Sequence, residues 1–235
     1  MTSPSHAKFD PARARDYAAD ARIALAGYDA CHELSACILS AALAGQPRRR
    51  VLVIGAGGTA GEILACARLE PGWQFTAVDP SAPMLALAEA QVAADGLAAR
   101  VDFHCDTLAA LPEAPGFDAA LMIGVLHHVP GDSAKAALLA ETARRLVPGG
   151  SLVLAGNCRR YDSAPLLRAA WANRWRQHGA CEREVAEKLG RIQAGAEPPA
   201  SEEAVAALLA GAGFAPPERF FSSLFWAAWH AQLQG

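Results

Sequence analysis

What this sequence lacks narrows what the chain can be. Its six cysteines (Cys31, Cys37, Cys66, Cys105, Cys158 and Cys181) form no C-x-x-C pair. The spacing therefore encodes neither a zinc site nor a disulfide framework, and small buried thiols in a reducing compartment are the expectation. No apolar run approaches the ~20 residues of a membrane span. The opening stretch MTSPSHAKFD has neither the basic nor the apolar region of a signal peptide, so a cytoplasmic protein with no membrane partner is expected. Neither sign of charge dominates: the formal net charge is -3, which leaves no electrostatic footprint for nucleic acid. The short run Arg48-Arg49-Arg50 reads as a solvated turn before a strand. There is no internal repeat, and the alanine richness is a bias of composition.

The 235 residues, 52% hydrophobic and 19% charged, have the make-up of a globular chain with one large domain or a domain and a lid. Residues 1–10 read as a flexible lead-in. Residues 11–44 carry Tyr17, Ile23, Leu25, Tyr28, Leu34, Ile38 and Leu43 at helical spacings broken at Gly27, which predicts two helices. Alternation follows. Residues 51–54 form a wholly apolar, β-branched run of the kind buried on both faces. A helix over 59–69, a strand over 75–78, a helix over 83–94 and a short strand over 101–104 come next. They precede a strand over 118–123, a helix over 133–146 and a strand over 151–155. Strand and helix taking turns predicts a doubly wound, Rossmann-like α/β sheet.

Beyond residue 156 the pattern changes. Residues 162–193 read as helical and carry Trp171 and Trp175. Ser201 is a candidate N-cap with Glu202 and Glu203 in the first turn behind it. The stretch PERFFSSLFWAAWHAQ predicts two final strands, antiparallel or at the edge, which brings the sheet to about seven.

Gly55, Gly57, Gly58 and Gly61 occupy the junction of the first strand and the helix after it. Glycine there takes positive φ and lets a ligand approach the backbone, while the helix N-terminus offers free N–H groups. No Gly-Lys-Ser/Thr follows, so a P-loop is excluded. Gly55-x-Gly57-x-x-Ala60 is a dinucleotide-type turn, and Asp79 ends the second strand, where an acid binds ribose hydroxyls. The turn alone does not separate a nicotinamide dinucleotide from S-adenosylmethionine. Downstream, VDFHCDTLAALP places Asp106 just past the third strand, FDAALMIGVLHHVP runs a fourth strand into a loop, and RRLVPGGSLVLAG launches a fifth. Each station falls at a C-terminal strand end, the edge where open α/β sheets bind ligands.

These five ordered segments, over about residues 51–156, resemble class I S-adenosylmethionine-dependent methyltransferases. The flanks LAGYDACHELSACIL and LLAGAGFAPPERFFSSLFWAAW are similar to the carboxy-S-adenosylmethionine synthase group and its methyltransferase relatives. The resemblance implies S-adenosylmethionine as cofactor, S-adenosylhomocysteine as product and a small-molecule acceptor, with a homodimer left open. It implies a helical lid over 11–46 and a methyltransferase domain over 47–235 with a helical cap inserted at about 160–197. Residue by residue it implies Gly55, Ala56 and Gly57 along the methionine part, with Tyr28 folding over from the lid. Asp79 would take the ribose, Pro80 and Met84 the flank of the adenine, Asp106 and Thr107 its edge, and Ile123 and Gly124 the space beneath the sulfonium.

Two positions depart from that pattern. Val53 stands where this class carries an acid two residues before the first glycine. Gly190 stands, with Arg191 one residue off, where the synthase group carries the arginine that holds its extra carboxylate, which favours plain methyl transfer.

Methyl transfer needs alignment and exclusion of water, and a general base only where the acceptor must lose a proton. His127 is the candidate for that role, next to His128 just past the fourth strand. The plainer reading packs one of the two beneath the loop and leaves the other in water. His104 and Cys105 with the two histidines suggest a metal cluster only superficially: adjacent strand residues face opposite ways, and no carboxylate completes a set, so no metal is expected. The aromatics Tyr161, Trp171, Trp175, Phe220, Phe221, Phe225, Trp226 and Trp229 either roof an acceptor pocket or form core. Three rivals stay open: a cofactor-modifying enzyme of the carboxylating kind, a non-catalytic S-adenosylmethionine-binding protein, and a nicotinamide oxidoreductase.

Overall fold

The structure, a computed structural model, describes residues 11–45, 47–112 and 116–235, with side chains from Tyr17 onward. The lead-in read over residues 1–10 lies outside the described residues. Two helices, α1 (Pro11–Ala24) and α2 (Tyr28–Ala42), precede an alternating body: β1 (Arg50–Ile54), α3 (Gly61–Leu69), β2 (Gln74–Val78), α4 (Ala82–Ala94), β3 (Val101–His104), β4 (Phe117–Ile123), α5 (Asp132–Arg145) and β5 (Leu146–Asn157). Three further helices, α6 (Pro165–Gln177), α7 (Glu182–Gly195) and α8 (Glu202–Gly211), lead to β6 (Glu218–Ser223) and β7 (Trp226–Gln232). The seven strands form one sheet in the order β3-β2-β1-β4-β5-β7-β6, with β7 antiparallel to both neighbours and the other pairs parallel.

The strand period of two explains how apolar runs pack on both sides. Val51 and Val53 of β1, Ala119 and Leu121 of β4 and Val153 of β5 share one face with Leu39 of α2 and Ile63 and Cys66 of α3. Leu52 and Ile54, Ala120 and Met122, and Leu152 and Leu154 share the other with Leu139 of α5 and Val205 and Leu209 of α8. Strand order reverses between β2-β1 and β4-β5, so a crevice opens above the C-terminal ends of β1 and β4.

The third layer is helical. Trp171 Nε1–H of α6 donates to Ala24 O at 2.7 Å, and Arg174 donates from Nε to Ile23 O and from Nη2 to Arg22 O, both at 2.9 Å. These bonds satisfy carbonyls at the end of α1 that no further turn could reach. Lys188 of α7 grips Asp20 of α1 through both carboxylate oxygens at 2.6 and 2.7 Å. Among the described residues, no helix is long and apolar enough to cross a membrane.

Four local readings need correction. The helix after the glycine turn starts at Gly61 and not at Thr59, because Ala60 takes a left-handed φ of 50° and stands outside it. The helix read over 162–193 is two helices, parted at Gly179, whose φ of 89° no right-handed helix accommodates. The run Arg48-Arg49-Arg50 is not simply solvated. Arg49 pairs with Asp118 at 2.9 Å, the Arg50 N–H donates to the same carboxylate at 2.8 Å, and the Arg50 guanidinium lies over Phe117. Of the cysteines only Cys31, Cys66 and Cys158 are buried, whereas Cys37, Cys105 and Cys181 are exposed; all six are free thiols.

Candidate active site

The glycine turn is built by contacts that exclude side chains. The Gly55 and Ala56 N–H groups both donate to Val78 O, at 2.8 and 3.2 Å, and fold the turn back over β2. Gly55 has φ of 71°, and a Cβ there would lie 2.2 Å from Val125 Cγ2. At Gly57 a Cβ would lie 2.5 Å from Met84 Cβ and 2.7 Å from Asp79 Oδ2. Only glycine lets Met84 and Asp79 close on the turn from the next strand and helix.

Asp79 is the hub. Its Oδ2 accepts the Gly57 N–H at 3.0 Å and its Oδ1 the Ser81 N–H at 2.8 Å. Each oxygen keeps acceptor capacity, since a carboxylate has about four lone-pair sites. Burial, with the charge of Glu62 adding to it, raises the Asp79 pKa despite these two bonds. Burial thus makes negative charge costly at Asp79, a cost that a nearby donor or cation offsets.

Most of the residues singled out by sequence gather here. Gly55, Ala56, Gly57, Asp79 and Met84 form one contact group. Tyr28, buried on α2, donates to or accepts from Thr59 Oγ1 at 2.7 Å beside the turn. It also shares an apolar cluster with Ile123 and Trp226. Gly124, with φ of 80°, follows β4, and Trp226 Cη2 comes 3.4 Å from where its Cβ would stand. Pro80 is exposed at the rim. Asp106 and Thr107 lie exposed past β3, where Asp106 Oδ1 accepts the Thr107 N–H at 2.7 Å.

Sequence reasoning missed three groups. Tyr17 of α1 reaches over Gly58, its Cε1 2.5 Å from where a Cβ would be, and hydrogen-bonds Tyr28. Burial, then the charges of Glu62 and Asp79, push its phenol up to about 12. Glu62 in the first turn of α3 is buried and faces His32 Nε2 at 3.4 Å, while His32 Nδ1–H donates to Tyr28 O at 2.8 Å. Asn157 ends β5 with its amide N–H directed at His127 and its Nδ2–H donating to Tyr161 Oη at 2.9 Å. An acid in the turn just after the glycines was a visible signal; the other two depend on contacts distant in sequence.

His127 is buried and packs edge-on to Trp226, with ring centroids 5.4 Å apart. Burial, then the charges of His128 and Lys135, hold its pKa well below the ordinary histidine value, so the ring is neutral. Its Nδ1 accepts the Asn157 N–H at a long 3.4 Å, which places the proton on Nε2. His128 is half-buried, its Nδ1 3.2 Å from Gly195 O, so it does not simply face water.

Most of the C-terminal aromatics are core: Tyr161, Trp171 and Phe225 cluster together, and Trp175 packs with Val185. Trp226 turns to the crevice. Lys188 is engaged by Asp20 and by the Trp175 ring, and Arg191 is exposed. Among the described residues, no three His, Cys, Asp or Glu side chains group as metal ligands would. A groove lined by Arg48, Arg49, Arg50, Gly72, Gln74 and Asp118 opens where the parallel strands begin, at the edge opposite the crevice.

The fold matches known structures. Residues 52–152 match the family of the methyltransferase domain. An uncharacterized protein of Synechococcus is 37% identical over 107 residues, which are 45% of this chain and 24% of that one. An O-methyltransferase family 2 protein of Planctomyces limnophilus, solved with apigenin, superposes with a TM-score of 0.61 at 21% identity, over 85% of this chain and 61% of that one. Human N-acetylserotonin methyltransferase, solved with S-adenosylmethionine, gives 0.59 at 18%, over 86% and 52%. An O-methyltransferase family protein of Burkholderia thailandensis gives 0.60 at 18%, over 88% and 58%. The chain thus spans about a quarter of the curated relative and about half to three fifths of these structures. Over residues 52–152 the chain is similar to the methyltransferase domain, and its seven-stranded sheet has the α/β fold of these structures.

Proposed function

We propose that this protein transfers a methyl group from S-adenosylmethionine to a small-molecule acceptor. The observation that carries the reading is Asp79, at the end of β2, closing onto the Gly57 N–H at the C-terminal edge of the sheet. A half-buried carboxylate with acceptor sites to spare suits a pair of ribose hydroxyls. When bound, the cofactor supplies an electrophilic methyl group on a sulfonium.

The chain's own residues then orient and enclose. Gly55, Ala56 and Gly57 follow the methionine part, with Tyr28 and Tyr17 above it; Met84 and Pro80 flank the adenine, and Asp106 and Thr107 border its edge. Ile123 and Gly124 line the floor nearest the methyl, with Trp226 and His127 beyond them on the acceptor side. Helices α1, α6 and α7, tied together by Trp171, Arg174 and Lys188, act as lid and cap that exclude water.

With its proton on Nε2, the neutral His127 ring orients an acceptor as a donor. A base role requires Nδ1 to exchange its long contact with Asn157 N–H for the acceptor's proton. An acceptor with its own lone pair, such as an amine, needs no such exchange. The test is incubation with S-adenosylmethionine and a fractionated metabolite extract while S-adenosylhomocysteine is measured. Production that depends on a fraction and is lost in Asp79→Ala is expected; none above the protein-free control, from any fraction, contradicts the reading.

A further inference from the structure

The crevice holds a second carboxylate, which has no task in this arrangement. Glu62 belongs to the first turn of α3, directly behind the glycine turn, with only 8% of its side chain exposed. A buried acid needs a partner. Its Oε2 has one in His32 Nε2, at 3.4 Å, longer than an ordinary charge-assisted hydrogen bond. His32 in turn is fixed from three sides. Its Nδ1–H is held by Tyr28 O at 2.8 Å, its ring lies tilted against that of Tyr28 with centroids 4.4 Å apart, and its Cδ2 lies 2.9 Å from where a Cβ on Gly61 would stand. Gly61 therefore lets the imidazole reach the acid, and the imidazole fixes where the acid points.

The groups around Glu62 are those of the cofactor crevice. Its charge acts on Asp79, on Tyr17 above Gly58, and on Tyr28, whose hydroxyl meets Thr59 at 2.7 Å. The strand leading into the turn offers no charge on this side, since Val53 is buried against Leu121 and Val153. Negative charge at the start of α3 is compatible with the positive end of the helix dipole, and a cation facing both carboxylates relieves the repulsion between Glu62 and Asp79.

Resting on the cofactor reading, we propose that Glu62 recognises the α-ammonium group of the cofactor's amino-acid end, with His32 as the positioning residue that holds the carboxylate in place. Asp79 then takes the hydroxyl-bearing end and Glu62 the cationic end of one ligand laid across the turn.

The experiment compares S-adenosylhomocysteine with its analogue lacking the α-amino group by calorimetry, first on the wild-type protein and then on Glu62→Gln. The wild type is expected to prefer S-adenosylhomocysteine by about tenfold or more, the equivalent of one hydrogen bond to a charged group. Glu62→Gln is expected to erase that preference by weakening S-adenosylhomocysteine alone. Retained affinity for the analogue shows that the variant is folded. Equal affinity of the wild type for both ligands overturns the role of Glu62 while leaving the cofactor reading intact, and so does a variant that loses both alike or neither. A wild-type protein that binds neither ligand overturns the cofactor reading itself, and the role of Glu62 with it.

Discussion

His32, beside the glycine turn, and His127, just past β4, are about equally buried, at 5% and 4% exposure, and their pKa values are shifted in opposite directions. Burial disfavours charge on both. At His32 the hydrogen bond and charge of Glu62, with help from Tyr28 O, outweigh that penalty and raise the pKa. At His127 the nearby charges are His128 and Lys135, which reinforce burial and depress it. The difference teaches that burial sets the cost of charge while the neighbours decide whether it is met. The surroundings of His32 favour paired charge, and those of His127 favour a neutral ring next to an aromatic.

The largest effect expected from breaking this contrast is on the charged side. Glu62→Ala, which strands His32, should destabilise the fold by about 3–5 kcal/mol near pH 6, as loss of one partner of a buried pair does; denaturant unfolding measures it. On the neutral side, Lys135 is fully buried, its Nζ making only loose approaches of 3.9 and 4.0 Å to Asp132 and Glu197. Lys135→Met should therefore cost at most about 1 kcal/mol, or stabilise, because it removes a buried polar group that lacks a close partner.

The pH profiles of the two histidines should then run in opposite senses. His32, raised, adds stability that is complete below its unfolded pKa of about 6.5 and fades as pH climbs through the higher folded value. The stability gap between wild type and His32→Gln should thus be wider at pH 5.5 than at pH 9. His127, depressed, costs stability as pH falls below about 6.5, because only the unfolded chain takes up the proton. His127→Asn should accordingly lose less stability between pH 7 and pH 5 than the wild type. Parallel profiles for the two variants would contradict the contrast. Thermal unfolding across pH reads both.

The glycine turn and the acid that meets it were legible in the sequence, and the buried partners of the two histidines were not. The glycine turn, Asp79 and the alternation of strand and helix follow from local signals: wholly apolar runs, glycines where a strand meets a helix, and an acid closing the next strand. Their contacts span neighbouring β-α units, so one motif carries both partners. His32 and Glu62 are 30 residues apart on two helices, and no periodicity announces that they meet. The same holds for Asn157 and His127, and for Lys135, whose position in a polar helix gives no sign that the side chain is buried. Boundaries failed where a single backbone angle decided them, at Ala60 and Gly179. The reading of Trp171, Trp175 and Phe225 as a pocket roof or as core could not be resolved from composition, since both uses call for the same residues; their packing against α1 and α7 makes them core.

The central claim, that the crevice at the C-terminal ends of the parallel strands grips S-adenosylmethionine through Asp79, is tested most directly by titrating S-adenosylhomocysteine into wild type and Asp79→Ala by calorimetry. Saturable one-to-one binding, weakened about 100-fold or more by loss of two hydrogen bonds to a charged acceptor, is the result predicted. No binding to the wild type, or the same dissociation constant in both proteins, would contradict it.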